Sequence, residues 1–187
     1  MSARGVTEQP SPASPGVAET TAPTRPIVVL LLVALGVGFA SRWTWLCDDA
    51  FISFRYAKHL VDGHGLVFNI GPGTEAVEGY TNALWTVWLS AGMALGVAPE
   101  VWSIIWGLVA FAGLIVLLAR QAPHPWLPLA AALAVVSRPL QIWATGGLET
   151  AANLALLVLG WQHASSSGQS GSRRSALAGV VLALGSM

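Results

Sequence analysis

Two adjacent carboxylates, Asp48 and Asp49, are the residues of this chain whose types and spacing best suit chemistry. They come before residues 51–61, in which apolar side chains recur every three or four positions, as on one face of a helix. An Asp at the start of a helix caps free backbone N–H groups, which accounts for one of the two. Two neighbouring carboxylates repel each other and favour a cation, a metal or a shared proton. The pair therefore indicates a functional site that helix capping alone does not explain.

Seven further polar side chains are candidates for the same site. The acids and hydrogen-bonding groups among them are Glu78, Tyr80, Asn82 and Glu149. The cations, which would neutralise an anionic partner, are Arg55, Lys58 and Arg138. A solvated helix face also accounts for Arg55 and Lys58. The four histidines have no metal-ligand spacing, so a histidine zinc site is not predicted.

The composition indicates which kind of protein must position these residues. Of 187 residues, 54% are hydrophobic and 10% are charged, and nine Lys and Arg balance nine Asp and Glu. A soluble domain carries about 25% charged residues, and a disordered chain combines high charge with little apolar content. Zero net charge disfavours nucleic-acid binding, and the single cysteine, Cys47, excludes a disulfide scaffold. A helical membrane protein remains.

Apolar runs divide the chain into a tail, residues 1–25, and a membrane domain, residues 26–187. The tail is rich in Pro, Ser and Thr and is predicted to be disordered and cytoplasmic. We expect about five transmembrane helices, the last of them incomplete: residues 26–47, 101–120, 125–143, 149–163 and 176–187. A cleaved signal peptide is the alternative for the first run. Because the last run is still apolar at Met187, we expect the chain to be the N-terminal part of a longer protein.

The basic residues decide the orientation of these helices. If residues 83–97 cross the membrane, Arg173 and Arg174 fall outside, against the positive-inside rule. If residues 83–97 lie along the outer interface, five arginines become cytoplasmic and seven of the nine acids become external. We therefore expect a cytoplasmic N-terminus and an external loop, residues 48–100, that contains interfacial helices. The candidate site is then external, where Arg138 serves either as an interface anchor or as a ligand for a lipid phosphate.

Three blocks of the sequence resemble the N-terminal part of bacterial GT-C type glycosyltransferases: DDAFISFRYAKHLVDGHGLVFN, VEGYTNALWT and ATGGLETAANLALLVL. These polytopic enzymes include relatives of protein mannosyltransferases, aminoarabinose transferases and arabinofuranosyltransferases. They take a sugar from a polyprenyl-phosphate carrier at the outer face of the plasma membrane. The resemblance covers residues 43–161 and implies an all-α, polytopic GT-C fold with juxtamembrane helices in the first outer loop.

The resemblance also implies roles for the acidic residues. In these enzymes an acidic pair after the first membrane helix supplies a general base, which matches Asp48 and Asp49, and Asp48 is the preferred base. A second acidic motif belongs to the second outer loop, where Glu149 is the one acid. Some members bind a divalent metal between the motifs and others do not, so metal dependence stays open. Family members are also much longer, with further helices and often an external acceptor-binding domain.

The reaction expected from this resemblance is sugar transfer from the lipid-linked donor to a hydroxyl of an envelope glycan, lipid or protein. Asp48 would accept the hydroxyl proton, and Asp49 and Glu149 would orient this base or bind a metal. The cations would stabilise the departing phosphate. The remaining candidates, which would hydrogen-bond the sugar or organise the loop, are Glu78, Tyr80 and Asn82.

A non-enzymatic membrane protein is the alternative, either a transporter or a scaffold in envelope assembly, and an inactive fragment is a third reading. A transporter would place charged residues within its spans. Residues 27–40 and 101–119 contain no acid or base. The charges lie in the loops instead, which favours chemistry at the membrane surface.

Overall fold

The computed structural model describes residues 26–74, 77, 79–124, 126–166 and 179. Within this part every regular element is an α-helix, which confirms the predicted all-α class. Its seven helices are α1 (Pro26–Ser41), α2 (Asp48–Val61), α3 (Ala83–Ala94), α4 (Pro99–Arg120), α5 (Leu129–Val136), α6 (Arg138–Trp143) and α7 (Thr150–Ser166). The predicted tail, and the last apolar run apart from Gly179, lie outside the described residues.

Helix α4 is the one helix of the described part that is long and apolar enough to cross a membrane. Its 22 residues extend over about 33 Å at about 1.5 Å per residue, which matches a hydrocarbon core of about 30 Å. Glu100 and Arg120 lie near its two ends, and the stretch between them has no charge. Helices α1 and α3 are apolar but shorter. A membrane location is thus supported, and the number of five membrane-crossing helices remains a prediction.

Helix α1 ends at Ser41 rather than at residue 47, where the first predicted span ends. Thr44 Oγ1 donates a hydrogen bond of 2.9 Å to the carbonyl of Ser41. This bond satisfies a carbonyl at the helix end that has no N–H partner further along the helix. The chain then has no helical structure up to Cys47, so the next helix begins at Asp48.

The stretch predicted as one helix over residues 125–143 contains two helices, α5 and α6, with Ser137 between them in an extended conformation. Pro139 explains the interruption, because it has no N–H to donate to the carbonyl of Val135. The side chain of Gln141 supplies the missing donor, with Nε2 at 2.6 Å from that carbonyl oxygen. Gln141 is buried, so this bond stabilises the break from inside the core.

Helix α4 lies at the centre of the main core and packs against α1, α5 and α7. Its side chains Phe111 and Ile115 are fully buried there. Glycines allow close approach of the neighbouring helices: a Cβ on Gly36 of α1 would lie 2.5 Å from Ile115 Cδ1. A Cβ on Gly107 of α4 would collide with the carbonyl oxygen of Ala144. Small residues at such contacts are typical of helices that pack in membranes.

The predicted helices of the first outer loop are present as α2 and α3, which pack against each other. They share a smaller core made of Cys47, Ala50, Phe54, Ala57, Trp85 and Leu89. Helix α3 also contacts α4, which joins this layer to the main core. It ends at Ala94, three residues before the predicted end, and Gly96 follows with a φ of +80°. A glycine in this conformation is a common helix terminator.

Candidate active site

Asp48 and Asp49 are the first two residues of α2, and both are exposed. Neither carboxylate makes a hydrogen bond or an ion pair with another described residue. Cys47, the residue before them, contributes no side-chain cap. The pair therefore presents unpartnered carboxylate oxygens at the free N–H groups of the first helical turn, where negative charge is favoured.

The loop that precedes α7, residues 144–149, lies directly against the start of α2. The N–H of Cys47 donates to the carbonyl of Gly146 at 3.0 Å. Gly147 has a φ of +86°, and a Cβ there would lie 2.7 Å from Ala50 Cβ and 2.9 Å from Leu46 Cδ2. A residue with a side chain would be strained and crowded at this position. Two acidic motifs that are far apart in the sequence are thus joined through backbone contacts.

Glu149 is partly buried, and its carboxylate is held by a side chain that lies just before α3. Asn82 Nδ2 donates to Glu149 Oε2 at 2.8 Å. The same amide lies 3.0 Å from Ser53 Oγ of α2, and its carbonyl oxygen accepts from Thr86 Oγ1 at 3.1 Å. Asn82 is 6% exposed, so this cluster is shielded from water. Asn82, predicted to contact the sugar or organise the loop, thus links Glu149 to α2 and α3.

Four residues of this arrangement were missed from the sequence: Ser53, Thr86, Trp85 and Gly147. Trp85 Nε1 donates to the carbonyl of Gly147 at 3.0 Å, which secures the loop from the side of α3. Thr86 lies four positions after Asn82, and this spacing places the two side chains on one helix face. The contact between them could therefore have been predicted from the sequence. Ser53 and Gly147 contact residues distant in sequence, and no local pattern marks them.

The cations Arg55 and Lys58 bond within their own loop. Arg55 Nε donates to the carbonyl of Phe68 at 2.7 Å, and its guanidinium lies 4.4 Å from the centre of the Phe68 ring. Lys58 Nζ donates to Asp62 Oδ2 at 2.8 Å. This hydrogen bond from Lys58 holds the pKa of Asp62 below its ordinary value of 3.8. Both cations are exposed, which agrees with the solvated helix face considered for them.

Tyr80 is partly buried and packs on the ring of Tyr56, with 4.8 Å between the ring centres. The Tyr56 hydroxyl donates to the carbonyl of Val77 at 2.7 Å and accepts from the N–H of Gly79 at 2.9 Å. Tyr56, fully buried and not predicted, therefore organises this part of the loop. Glu78 lies outside the described residues.

Arg138 lies at the start of α6, and its guanidinium stacks 4.2 Å from the centre of the Trp43 ring. It makes no ion pair with Asp48, Asp49 or Glu149. Trp45 lines a cavity together with Arg138, and its Nε1 donates to the carbonyl of Ile142 at 2.9 Å. Arg138 thus lies in an aromatic environment formed by Trp43 and Trp45, and it is not paired with any of these three acids.

An apolar cavity of about 450 Å³ opens between α3, α4 and α7. Glu149 and Asn153 contribute to its lining, next to aliphatic and tryptophan side chains. Trp106 also lines it, and its buried Nε1 has no hydrogen-bond partner among the described residues. The carboxylate held by Asn82 therefore borders this apolar space.

No three His, Cys, Asp or Glu side chains of the described part come close enough to hold a metal ion. Asp48, Asp49 and Glu149 in particular do not converge on one point. These described carboxylates therefore form no three-ligand cluster for a metal ion.

Comparison with known proteins gives one informative similarity. No protein-family description matches the chain, and no solved structure matches it. The chain is 31% identical over 147 residues to the terminal beta-(1->2)-arabinofuranosyltransferase of Mycobacterium tuberculosis (strain ATCC 25618 / H37Rv). The aligned region is 72% of this chain and 23% of that protein, so the chain spans less than a quarter of its relative's length. This similarity agrees with the resemblance of the sequence to glycosyltransferases.

Proposed function

We propose that this chain acts in a membrane glycosyltransferase that transfers a sugar from a polyprenyl-phosphate donor to a cell-envelope hydroxyl. The observation that carries the proposal is the contact of residues 144–149 with the start of α2. It supports the proposal because it joins the segments that carry the two acidic motifs, which lie about a hundred residues apart in the sequence. The similarity to an arabinofuranosyltransferase supports the reaction class.

Asp48 is the general base of this proposal, because its carboxylate is exposed and bonded to no other described residue. It accepts the proton of the acceptor hydroxyl while that oxygen attacks the anomeric carbon of the sugar. The bond from the anomeric carbon to the phosphate oxygen breaks on the opposite face, so the configuration inverts. Its electron pair leaves with the lipid phosphate. General-base assistance of this kind contributes about 10²–10⁴-fold in rate.

Glu149 is assigned to orientation rather than to proton transfer. One of its oxygens accepts the hydrogen bond from Asn82, whose other bonds reach α2 and α3. Its position is therefore defined relative to Asp48 and Asp49, as a group that hydrogen-bonds a sugar hydroxyl must be. Asp49 lies beside the base and orients the same acceptor. Arg138 is the cation assigned to the departing phosphate, because Arg55 and Lys58 bond within their own loop.

The test measures transfer from a labelled polyprenyl-phosphate sugar in membranes of the source cell, with each substitution introduced into the native gene. Asp48→Asn, Asp49→Asn and Glu149→Gln should reduce transfer at unchanged protein abundance. Asp62→Asn is the matched control, because Asp62 is an exposed acid at the other end of α2. Full activity in all three site variants would overturn the assignment.

The proposed orientation has the N-terminus in the cytoplasm and the acidic site outside. In support, Arg120 ends the one helix of the described residues that is long enough to cross, while Glu100 lies near its opposite end. Reporter fusions after Arg120 and after Gly147 test this directly. A cytoplasmic signal is expected after Arg120 and an external one after Gly147, and a cytoplasmic signal after Gly147 would contradict the orientation.

A further inference from the structure

A polar cavity of about 360 Å³ lies where α1 ends and the chain breaks between α5 and α6. Two arginines, Arg42 and Arg138, line it. The other lining residues are Phe39, Trp43, Val136 and Gln141. None of these side chains carries a negative charge, so two guanidinium groups share one cavity without an acid in its wall.

Neither of these two arginines is neutralised within the described part of the chain, where the ion pair recorded is Lys58 with Asp62. The Arg138 guanidinium stacks on the face of Trp43, 4.2 Å from the ring centre. Stacking of this kind fixes the plane of the guanidinium and leaves its N–H groups at the edge for a ligand. Two cations that line one cavity with no acid favour an anionic ligand between them.

The position of the cavity along the structure suits a lipid head group. Arg42 comes immediately after α1, whose 16 residues contain no charge. Trp43 is 51% exposed, and Trp45 is exposed beside it. Tryptophans and arginines at the end of an apolar helix are typical of the membrane–water interface. Phosphate groups of lipids lie at this level.

The cavity wall that carries Arg138 is held in place by bonds within the protein. Pro139 interrupts the helix, and the buried side chain of Gln141 donates to the carbonyl of Val135 at 2.6 Å. Gln141 and Val136 both line the cavity, so the same break that starts α6 also shapes the site. Such preorganisation lowers the cost of ordering a cation when a ligand binds.

We propose that Arg42 and Arg138 together bind the phosphate group of a membrane lipid. Guanidinium groups bind phosphate oxygens through paired, charge-assisted hydrogen bonds, and two of them can engage different oxygens of one phosphate. The shared chemistry is a phosphate ester on a hydrocarbon chain, from either a bilayer phospholipid or a polyprenyl phosphate. Binding requires no sugar transfer, so it can succeed or fail separately from the proposed function. If polyprenyl phosphate is the ligand, Arg42 joins Arg138 as a residue that holds the donor.

The experiment uses the purified chain in detergent and measures lipid adducts by native mass spectrometry. The probes are polyprenyl monophosphate, phosphatidylglycerol and inorganic phosphate, each titrated separately. Arg42→Gln and Arg138→Gln should each weaken binding of the preferred lipid by about 10- to 100-fold, the value of a charged hydrogen bond. Arg120→Gln is the matched control, because Arg120 is an exposed arginine at the end of another helix. It should bind like the unmodified chain.

Titration with the separate probes distinguishes the two possible lipid ligands. Preference for polyprenyl monophosphate identifies the donor, and preference for phosphatidylglycerol identifies the bilayer. Equal binding by both arginine variants and the unmodified chain would overturn the proposal, as would an equal loss in Arg120→Gln. Binding of inorganic phosphate without either lipid would also overturn it. Arg138→Lys, which keeps the charge and loses the planar group, should bind with intermediate affinity. Arg42→Gln, whose side chain is exposed, keeps the test decisive if Arg138→Gln fails to fold.

Discussion

The two acidic motifs of this molecule belong to segments in contact with each other, but their carboxylates have opposite surroundings. Asp48 and Asp49 are exposed, and their carboxylates have no partner among the described residues. Glu149 is partly buried, and its carboxylate accepts a hydrogen bond of 2.8 Å from Asn82, itself bonded to two hydroxyl groups. The first motif is accessible and the second is fixed.

This difference indicates that the two motifs have different roles, one in proton transfer and the other in positioning. A carboxylate that already accepts hydrogen bonds from the protein has less capacity to take a proton from a substrate, whereas its direction in space is well defined. An exposed carboxylate has the opposite properties. We therefore expect loss of chemistry from the first motif and loss of positioning from the second, and the following experiments test that contrast.

The largest effect is expected at the pair itself. Asp48→Asn should lower the rate of sugar transfer by about 10²–10⁴-fold, because the amide cannot accept the proton. Asp49→Asn should lower the rate of sugar transfer by a smaller factor. Initial rates across a pH series check this, since removal of the base also removes the acid limb of the pH–rate profile. A larger loss of transfer rate in Asp49→Asn than in Asp48→Asn would exchange the roles of the two residues. Equal losses of rate in Asp48→Asn and Asp62→Asn would contradict the role of the pair in catalysis.

Gly147→Ala should separate the motifs physically. The positive φ costs about 1–2 kcal/mol for any other residue, and the new methyl would meet Ala50 and Leu46, which adds about 1–3 kcal/mol. Gly65→Ala is the control, because Gly65 has a φ of +81° and nothing within 4 Å of an added Cβ. Unfolding measurements in detergent should show a smaller loss of unfolding free energy for Gly65→Ala than for Gly147→Ala. Equal losses would mean that the loop contact contributes no stability.

Asn82→Leu should release Glu149 without removing it. The buried hydroxyls and the carboxylate lose their partner, which costs about 1–3 kcal/mol. Asn82→Asp is a more specific test, because it places a second carboxylate beside Glu149 and raises the pKa of one of the two carboxyl groups. Its stability should therefore recover as the pH falls through that raised pKa. Asn69→Asp, at an exposed position, is the control and should show no such recovery.

The smallest effect concerns Asp62, an acid that is exposed yet bonded to Lys58. Its folded-state pKa is lowered, so the stabilisation is present above the ordinary value of 3.8 and is lost as the pH falls below it. Unfolding midpoints between pH 5 and about pH 3 should fall more for the unmodified chain than for Asp62→Asn. High salt should reduce this difference, because the pair is exposed. A difference that persists at neutral pH in high salt would contradict this account.

The sequence predicted those features that depend on nearby residues. The periodicity after Asp49 predicted α2, and the apolar run up to Arg120 predicted α4. The link between Asn82 and Glu149 joins residues 67 positions apart, so no local pattern marks it. The break at Pro139 was missed because a long apolar run outweighed one proline, and its stabilisation by Gln141 depends on a buried tertiary geometry.

The contact between Cys47 and Gly146 has a practical consequence. Cys47 is the single cysteine of the chain, it is 8% exposed, and it lies one residue before the acidic pair. Its side chain belongs to the small core against which Leu148 and Ala152 pack, so the rate at which a maleimide labels the thiol reports the local opening free energy of that core. A reagent that cannot cross membranes would report, in the same reaction, on which side of the bilayer the opening occurs. The native chain thus carries its own probe for the movement and the orientation of this edge.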